Sequence, residues 1–313
     1  MEKITNFEKI IEKLQKHSQL VKMVVAGADK ESILKCCRKA KDLEIADSIL
    51  VGDKKKIIEI SSKINLNISD FNIVDIKGED EIAKYSSKLI YNGKANIISK
   101  GSIETMSMVK AILDKEVRIK KDNNVSVISL FEMNHNKKTR LILMPNTVLH
   151  PYPSLEEKKS LINQSVEVAN MIGIENPKVA VLAAIDIVDP NMKETIEADK
   201  LSKMNDIGEI KGCIVDGPLS LELALDPEAC FLKKNNNRKI QGDADILILH
   251  DIHSSNYIYK AFTHLLKWKS GMIMVGAKVP CLLTSRSDNL DAQFNSIILS
   301  KFYHQFTSNK NIL

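Results

Sequence analysis

The chain has 313 residues, of which 44% are hydrophobic and only 5% aromatic, so its cores are aliphatic, and a chain of this length is expected to build two of them. Its 45 Lys plus Arg against 40 Asp plus Glu leave +5, too weak and dispersed a charge for a nucleic-acid surface. No apolar run reaches membrane-spanning length. The five cysteines, odd in number and without CxxC spacing behind a charged start lacking a signal peptide, read as reduced thiols of a soluble cytoplasmic protein with no membrane partner.

From the amino terminus, short aliphatic runs alternate with segments of helical period. KMVVAGAD (22–29) predicts a strand ending at Gly27 and Ala28, and ESILKCCRKAKDLEI predicts the helix after it. SILVGD (48–53) with DKKKIIEISSKI, and ANIISKGS (95–102) with IETMSMVKAILDKE, repeat the unit. VSVISLFEM and TRLILMPN around the polar NHNKKT predict a hairpin. Ser154 and Glu157 make a capping-box start for a long helix, and Pro151 and Pro153 before it suggest a crossing between domains. A second series follows: PKVAVLAAID, KGCIVDGPLS, DADILILHD with the helix NYIYKAFTHLLKW, then GMIMVGAKVPCLLTSRSD and a last helix, with KKNNNRK (233–239) as an exposed loop. Such alternation predicts an α/β protein of two αβα domains with mostly parallel sheets.

One stretch joins several chemical groups. PCLLTSRSDN (280–289) predicts a buried strand of the second domain opening onto Thr284, Ser285, Arg286, Ser287 and Asp288, and ligands of open α/β sheets lie beyond strand carboxyl ends. The chain has five arginines (Arg38, Arg118, Arg140, Arg238 and Arg286), and a guanidinium at such a turn is suited to holding two phosphate oxygens. The alternative use of Ser285 is as a helix N-cap, which is compatible with an anion at the same helix end.

Taken in order, ANIISKGSIETM, IENPKVAVLAA, the DGP of IKGCIVDGPLSLELAL, GDADILI followed by NYIYK, and VGAKVPCLLTSRSD resemble the phosphate acetyltransferase and phosphate butyryltransferase family, closer to the butyryltransferase branch. The resemblance implies a fold like that of isocitrate and isopropylmalate dehydrogenases with the active site in an interdomain cleft. It places residues 1–145 with 290–313 in one domain and 146–289 in the other. It implies reversible transfer of a short acyl group, butyryl or acetyl, between coenzyme A and inorganic phosphate within a ternary complex. Coenzyme A is then a substrate, no cofactor or metal takes part, and the chain forms a homodimer or larger homo-oligomer.

Residue by residue, Ser285 and Arg286 match the family's serine and arginine. Asp288 is the nearest carboxylate to them, because the position six beyond the arginine, an aspartate in acetyltransferase relatives, is Ala292. The general base therefore stays open. Lys100, Gly101 and Ser102 form the strand-end turn matching the family's KG, with Lys100 adding positive charge across the cleft. The remaining candidates for substrate binding are Thr284, Asp216, Gly217, Pro218, Asn256 and four others at which the chain departs from the family or adjoins a departure. These are Asn146 and His150, where aspartate and asparagine are usual, Ser255, where glycine is usual, and His253. The departures leave two alternatives: a catalytically altered or inactive protein that binds coenzyme A or phosphate, and a different acyl-phosphate enzyme on the same fold.

Overall fold

In a computed structural model, residues 2–16, 19–114, 119, 125–135, 138–147, 151–234, 237–283 and 288–310 are described. In chain order the elements are α1 (Phe7–Lys16), β1 (Val21–Ala26), α2 (Glu31–Asp42), β2 (Ala46–Gly52), α3 (Lys54–Lys63), β3 (Asn72–Asp75), α4 (Glu79–Tyr91), β4 (Ile97–Lys100) and α5 (Thr105–Leu113). The hairpin β5 (Ser126–His135) and β6 (Lys138–Thr147) follows, then α6 (Leu155–Met171), β7 (Lys178–Leu182), α7 (Lys193–Asp206) and β8 (Ile214–Leu219). The chain closes with α8 (Leu221–Leu225), α9 (Pro227–Leu232), β9 (Ile246–Ile248), α10 (Ile252–Lys260) running into a π-helical turn Ala261–Leu265, β10 (Lys269–Val275), β11 (Cys281–Leu282) and α11 (Leu290–Lys310). Among the described residues, no helix is long and apolar enough to cross a membrane.

Contacts divide the chain into two compact units, one of Phe7–Val125 with Ser270–Leu313, the other of Met1–Asn6 with Ser126–Lys269. These limits differ from the expected 145/146 and 289/290. The physical reason lies in strand pairing. The hairpin strands pair from Ser126↔Thr147 to His135↔Lys138, and β6 continues the sheet to β9 through Leu143↔Ile246, so residues 126–145 belong with the strands that follow them. Conversely, β11 pairs in parallel with β4 through Cys281↔Ile98 and Leu282↔Ser99, which brings residues 270–289 into the unit of the first strands.

In the first unit the strand order is β3-β2-β1-β4-β11-β10, parallel except for the β10–β11 pair. Val24, Val25 and Ala26 of β1 and Ile97 and Ile98 of β4 are buried, as central strands covered on both faces require. The helices earn their places by spacing: Phe7, Ile10 and Leu14 are buried along one face of α1, and Asp53 caps α3 by accepting from Lys55 N and Lys56 N. In the other unit the order is β5-β6-β9-β7-β8, with α6 opened by the capping box of Ser154 and Glu157.

The run GMIMVGAKVPCLL is therefore not one strand of the second domain. Gly276, at φ 88°, turns the chain after β10, and β11 returns antiparallel to it, with Met274 opposite Cys281.

Candidate active site

The strand-end turns of the first unit gather on the carboxyl edge of its parallel strands. Pairing of Ala26 with Lys100 sets the end of β1 beside the end of β4, and pairing of Leu282 with Ser99 sets β11 on the other side of β4. One step further along that register, Leu283 comes level with Lys100. Leu283, expected in the other domain, thus stands with Lys100 at one sheet edge within one unit.

The turns of β1 and β4 interlock. Gly101 N donates to Ala26 O and Ser102 N to Gly27 O, each at 2.8 Å. Gly27, at φ 82°, has a conformation that an L side chain rarely adopts. Lys100 is only 3% exposed, and its Nζ donates to the carbonyl oxygens of Ile103 (3.2 Å) and Gly101 (3.4 Å), so its stem is packed and its charge is held at the turn. Ser102 Oγ donates to Asp29 Oδ1, joining the two turns by side chains as well. Helices α2 and α5 start immediately after these turns, at N-caps Lys30 and Glu104 that supply no side-chain cap. Their first-turn N–H groups favour negative charge at this edge.

Thr284, Ser285 and Arg286 lie outside the described residues, as does His150. The chain re-emerges at half-buried Asp288, whose backbone carbonyl accepts from Gln293 Nε2 at 2.9 Å. Asn289 caps α11, its Oδ1 accepting from Ala292 N at 2.8 Å, so Asp288 precedes the helix rather than standing in its first turn. Ala292 is buried.

The remaining candidates fall in the other unit. Asp216, Gly217 and Pro218 lie in β8, just before its last residue Leu219. Asp216 is 4% exposed and bound by Arg238 (Nη2 to Oδ1, 3.0 Å) and by Ile240 N (to Oδ2, 3.1 Å), while Arg238 Nη2 also donates to Pro218 O at 2.7 Å. This carboxylate ties the 238–240 loop to the sheet, the use a buried charge with a full set of partners is suited to. A Cβ at Gly217 would lie 2.9 Å from Val181 Cβ, so the glycine serves close packing of β8 on β7. Asn146 is half-buried in β6 opposite Val127.

Ser255 and Asn256 are both inside α10, which begins at Ile252 under a capping box of Asp251 and Ser254. The helix expected to begin at Asn256 begins four residues earlier, and Ser255, at the position where glycine is usual, is helical and buried. His253 and Asn256 are exposed on the same helix, with His253 Nε2 3.2 Å from Tyr152 Oη.

Two residues of interest escaped the sequence pattern. Asp29 closes the run KMVVAGAD, but its partner Ser102 is 73 positions away. His250 lies just beyond β9, and burial together with the nearby Lys158 charge holds it below the usual histidine value, against the Leu182 carbonyl. Lys158 itself is buried and paired with Glu197 at 2.5 Å. Among the described residues no cluster of three or more His, Cys, Asp or Glu is arranged to hold a metal ion.

Burial pushes the Cys36 thiol up to about 12, with the neighbouring Cys37 adding to the shift, and pushes Cys37 and Cys213 up to about 11. Cys230 and Cys281 move in the same direction for the same reason. All five are buried thiols, not thiolates, and none is a ready nucleophile at neutral pH.

A family model described as phosphate acetyl/butaryl transferase matches residues 6–91 and 83–300. A phosphate butyryltransferase of Clostridium acetobutylicum is 40% identical over 297 residues, covering 95% of this chain and 97% of that one. A phosphate acetyltransferase of Thermotoga maritima is 36% identical over 282 residues, covering 90% and 95%. Among solved structures, a branched-chain phosphotransacylase from Enterococcus faecalis superposes with a TM-score of 0.78 at 27% identity, covering 91% of this chain and 99% of that one. With one family matched along nearly the whole length, and a sheet edge of interlocked glycine turns at which two helices start, the chain belongs to the phosphate acetyl/butaryl transferase family.

Proposed function

We propose that this enzyme transfers a short acyl group between coenzyme A and inorganic phosphate: acyl-CoA plus phosphate gives acyl phosphate plus coenzyme A. The observation that carries the proposal is the 40% identity, over 95% of the chain, to a phosphate butyryltransferase. Butyryl is the group assigned in this proposal, on the identity to that butyryltransferase.

In this proposal Arg286 binds phosphate, and Ser285 and Thr284 place the thioester carbonyl and donate to the oxyanion that forms on it. The positive charge of Lys100 and the N-termini of α2 and α5, which lack side-chain caps, draw an anion to the edge formed by the β1 and β4 turns. Transfer is direct, phosphate oxygen attacking the carbonyl carbon with no acyl-enzyme; the burial and raised pKa of the five thiols support this by removing sulfur as an intermediate carrier. Coenzyme A is a substrate and no metal or redox cofactor takes part. A cytoplasmic location and a homodimeric or larger assembly belong to the same proposal.

The test is thiol release from acetyl-, butyryl- and hexanoyl-CoA with and without phosphate. Phosphate-dependent release, fastest with the four-carbon substrate, supports the proposal. Binding of coenzyme A without turnover of any thioester identifies the altered, non-catalytic alternative.

A further inference from the structure

Acyl transfer to phosphate moves a proton as well as an acyl group. A phosphate oxygen of HPO₄²⁻ attacks the thioester carbon, the C–S bond breaks as the tetrahedral intermediate collapses, and the proton that the phosphate carried ends on the departing thiolate. The products are acyl phosphate and the thiol, and some group must hold the proton between the two steps. The position six beyond Arg286 offers only the buried methyl of Ala292.

Asp29 and Ser102 stand at the carboxyl ends of β1 and β4, neighbouring parallel strands paired through Ala26↔Lys100. Ser102 Oγ donates to Asp29 Oδ1, and both side chains are half-buried. The strand on the other side of β4 is β11, paired through Leu282↔Ser99, and Leu283 follows it at the same edge. A carboxylate that accepts from a serine hydroxyl thus lies on the sheet edge to which the anion-binding features point.

We propose that Asp29 and Ser102 form the proton relay of the transfer reaction, with the Ser102 hydroxyl facing the reactants and Asp29 behind it. This rests on the acyl-transfer function proposed above. As phosphate attacks, Ser102 Oγ takes the phosphate proton while passing its own to Asp29. As the C–S bond breaks, Asp29 returns its proton to Ser102 and Ser102 gives one to the thiolate sulfur. Both groups finish as they began, and no oxidant or metal enters the balance.

A purely structural tie between the two turns predicts something different, and Asp29→Asn separates the two. The amide oxygen of asparagine still accepts from Ser102, so the tie survives, but the side chain can no longer receive a proton from it. The relay predicts that kcat for phosphate-dependent thiol release falls about 100-fold with both KM values little changed, and that the acid limb of kcat against pH disappears. It predicts that Ser102→Ala falls by a comparable factor and that Asp29→Glu recovers part of the rate with its acid limb. An Asp29→Asn enzyme with wild-type kcat and an unaltered acid limb overturns the relay while leaving acyl transfer standing. A wild-type enzyme without phosphate-dependent release overturns both.

Discussion

Gly101 passes Gly27 so closely that a Cβ at residue 101 would lie 1.8 Å from the Gly27 carbonyl oxygen, and that oxygen is itself bound by Ser102 N. The obstacle is backbone, which cannot swing aside as a flexible side chain does. Gly101→Ala is therefore expected to push the β1 and β4 turns apart, lowering stability by about 2–3 kcal/mol. Phosphate-dependent turnover should fall further than stability alone accounts for, because Lys100 and Ser102 flank the displaced residue. Urea unfolding and steady-state kinetics on the same preparation check this, and a variant with wild-type midpoint and rate would show that the turns are not rigidly coupled.

Gln293 is 3% exposed in α11 and holds Asp288, the first described residue after the segment carrying Ser285 and Arg286, by a bond from Nε2 to the backbone carbonyl. Gln293→Met keeps the volume and removes the donor. The expected outcome is a KM for phosphate raised about tenfold, with the melting temperature nearly unchanged, since loss of a positioning bond is felt where the held segment meets its ligand. A loss of stability with an unaltered phosphate KM would assign Gln293 to packing alone.

His250 makes stability depend on pH in a definite direction. Its pKa lies below the ordinary 6.5, first through burial and then through the Lys158 charge, with Glu194, Glu197 and the Leu182 carbonyl pulling the other way. A histidine that resists protonation when folded leaves stability complete above about pH 6.5 and erodes it as the pH falls below, where the unfolded chain takes up the proton. His304, also lowered by burial, acts in the same sense. The urea midpoint should therefore drop between pH 7.5 and 5.5, and His250→Phe should flatten part of that drop. An identical pH dependence in the variant would mean that His250 does not resist protonation.

The buried thiols yield a chemical prediction. Native protein should react slowly with a thiol-specific disulfide reagent, while denatured protein exposes all five cysteines. Cys281, fully buried in β11 beside β4, should be replaceable by Ala with most of the turnover retained. Burst labelling of one cysteine in the native enzyme together with loss of activity would revive a covalent mechanism.

Much of the fold was written locally. The runs 22–29, 48–53 and 95–102 are strands because consecutive β-branched and aliphatic residues fit a sheet covered on both faces, and Ser154 with Glu157 marks its helix start by a bond pattern three residues long. What was not legible depended on partners distant in sequence. The two residues of β11 are too few for any periodicity, and their placement is decided by β4, more than 180 positions earlier. Hydrophobicity reads GMIMVGAKVPCLL as continuous, whereas the chain turns at Gly276. Helix α10 was expected to open at Asn256 because its cap, Asp251 with Ser254, lacks the glutamate that makes a capping box conspicuous. At the candidate site the Lys100–Ser102 turn could be read from its strand end, whereas Asp29 acquires meaning only once β1 and β4 are neighbours.

The central claim, that Arg286 holds phosphate for attack on an acyl-CoA, is tested most directly by the rate of thiol release from butyryl-CoA as a function of phosphate concentration, in wild type and in Arg286→Ala. The account predicts saturable phosphate dependence in the wild type and, in the variant, loss of saturation with a fall in kcat/KM for phosphate of about 100-fold or more, the scale of a lost charge-assisted bidentate contact to a reacting group. Equal phosphate dependence in the two proteins would contradict it.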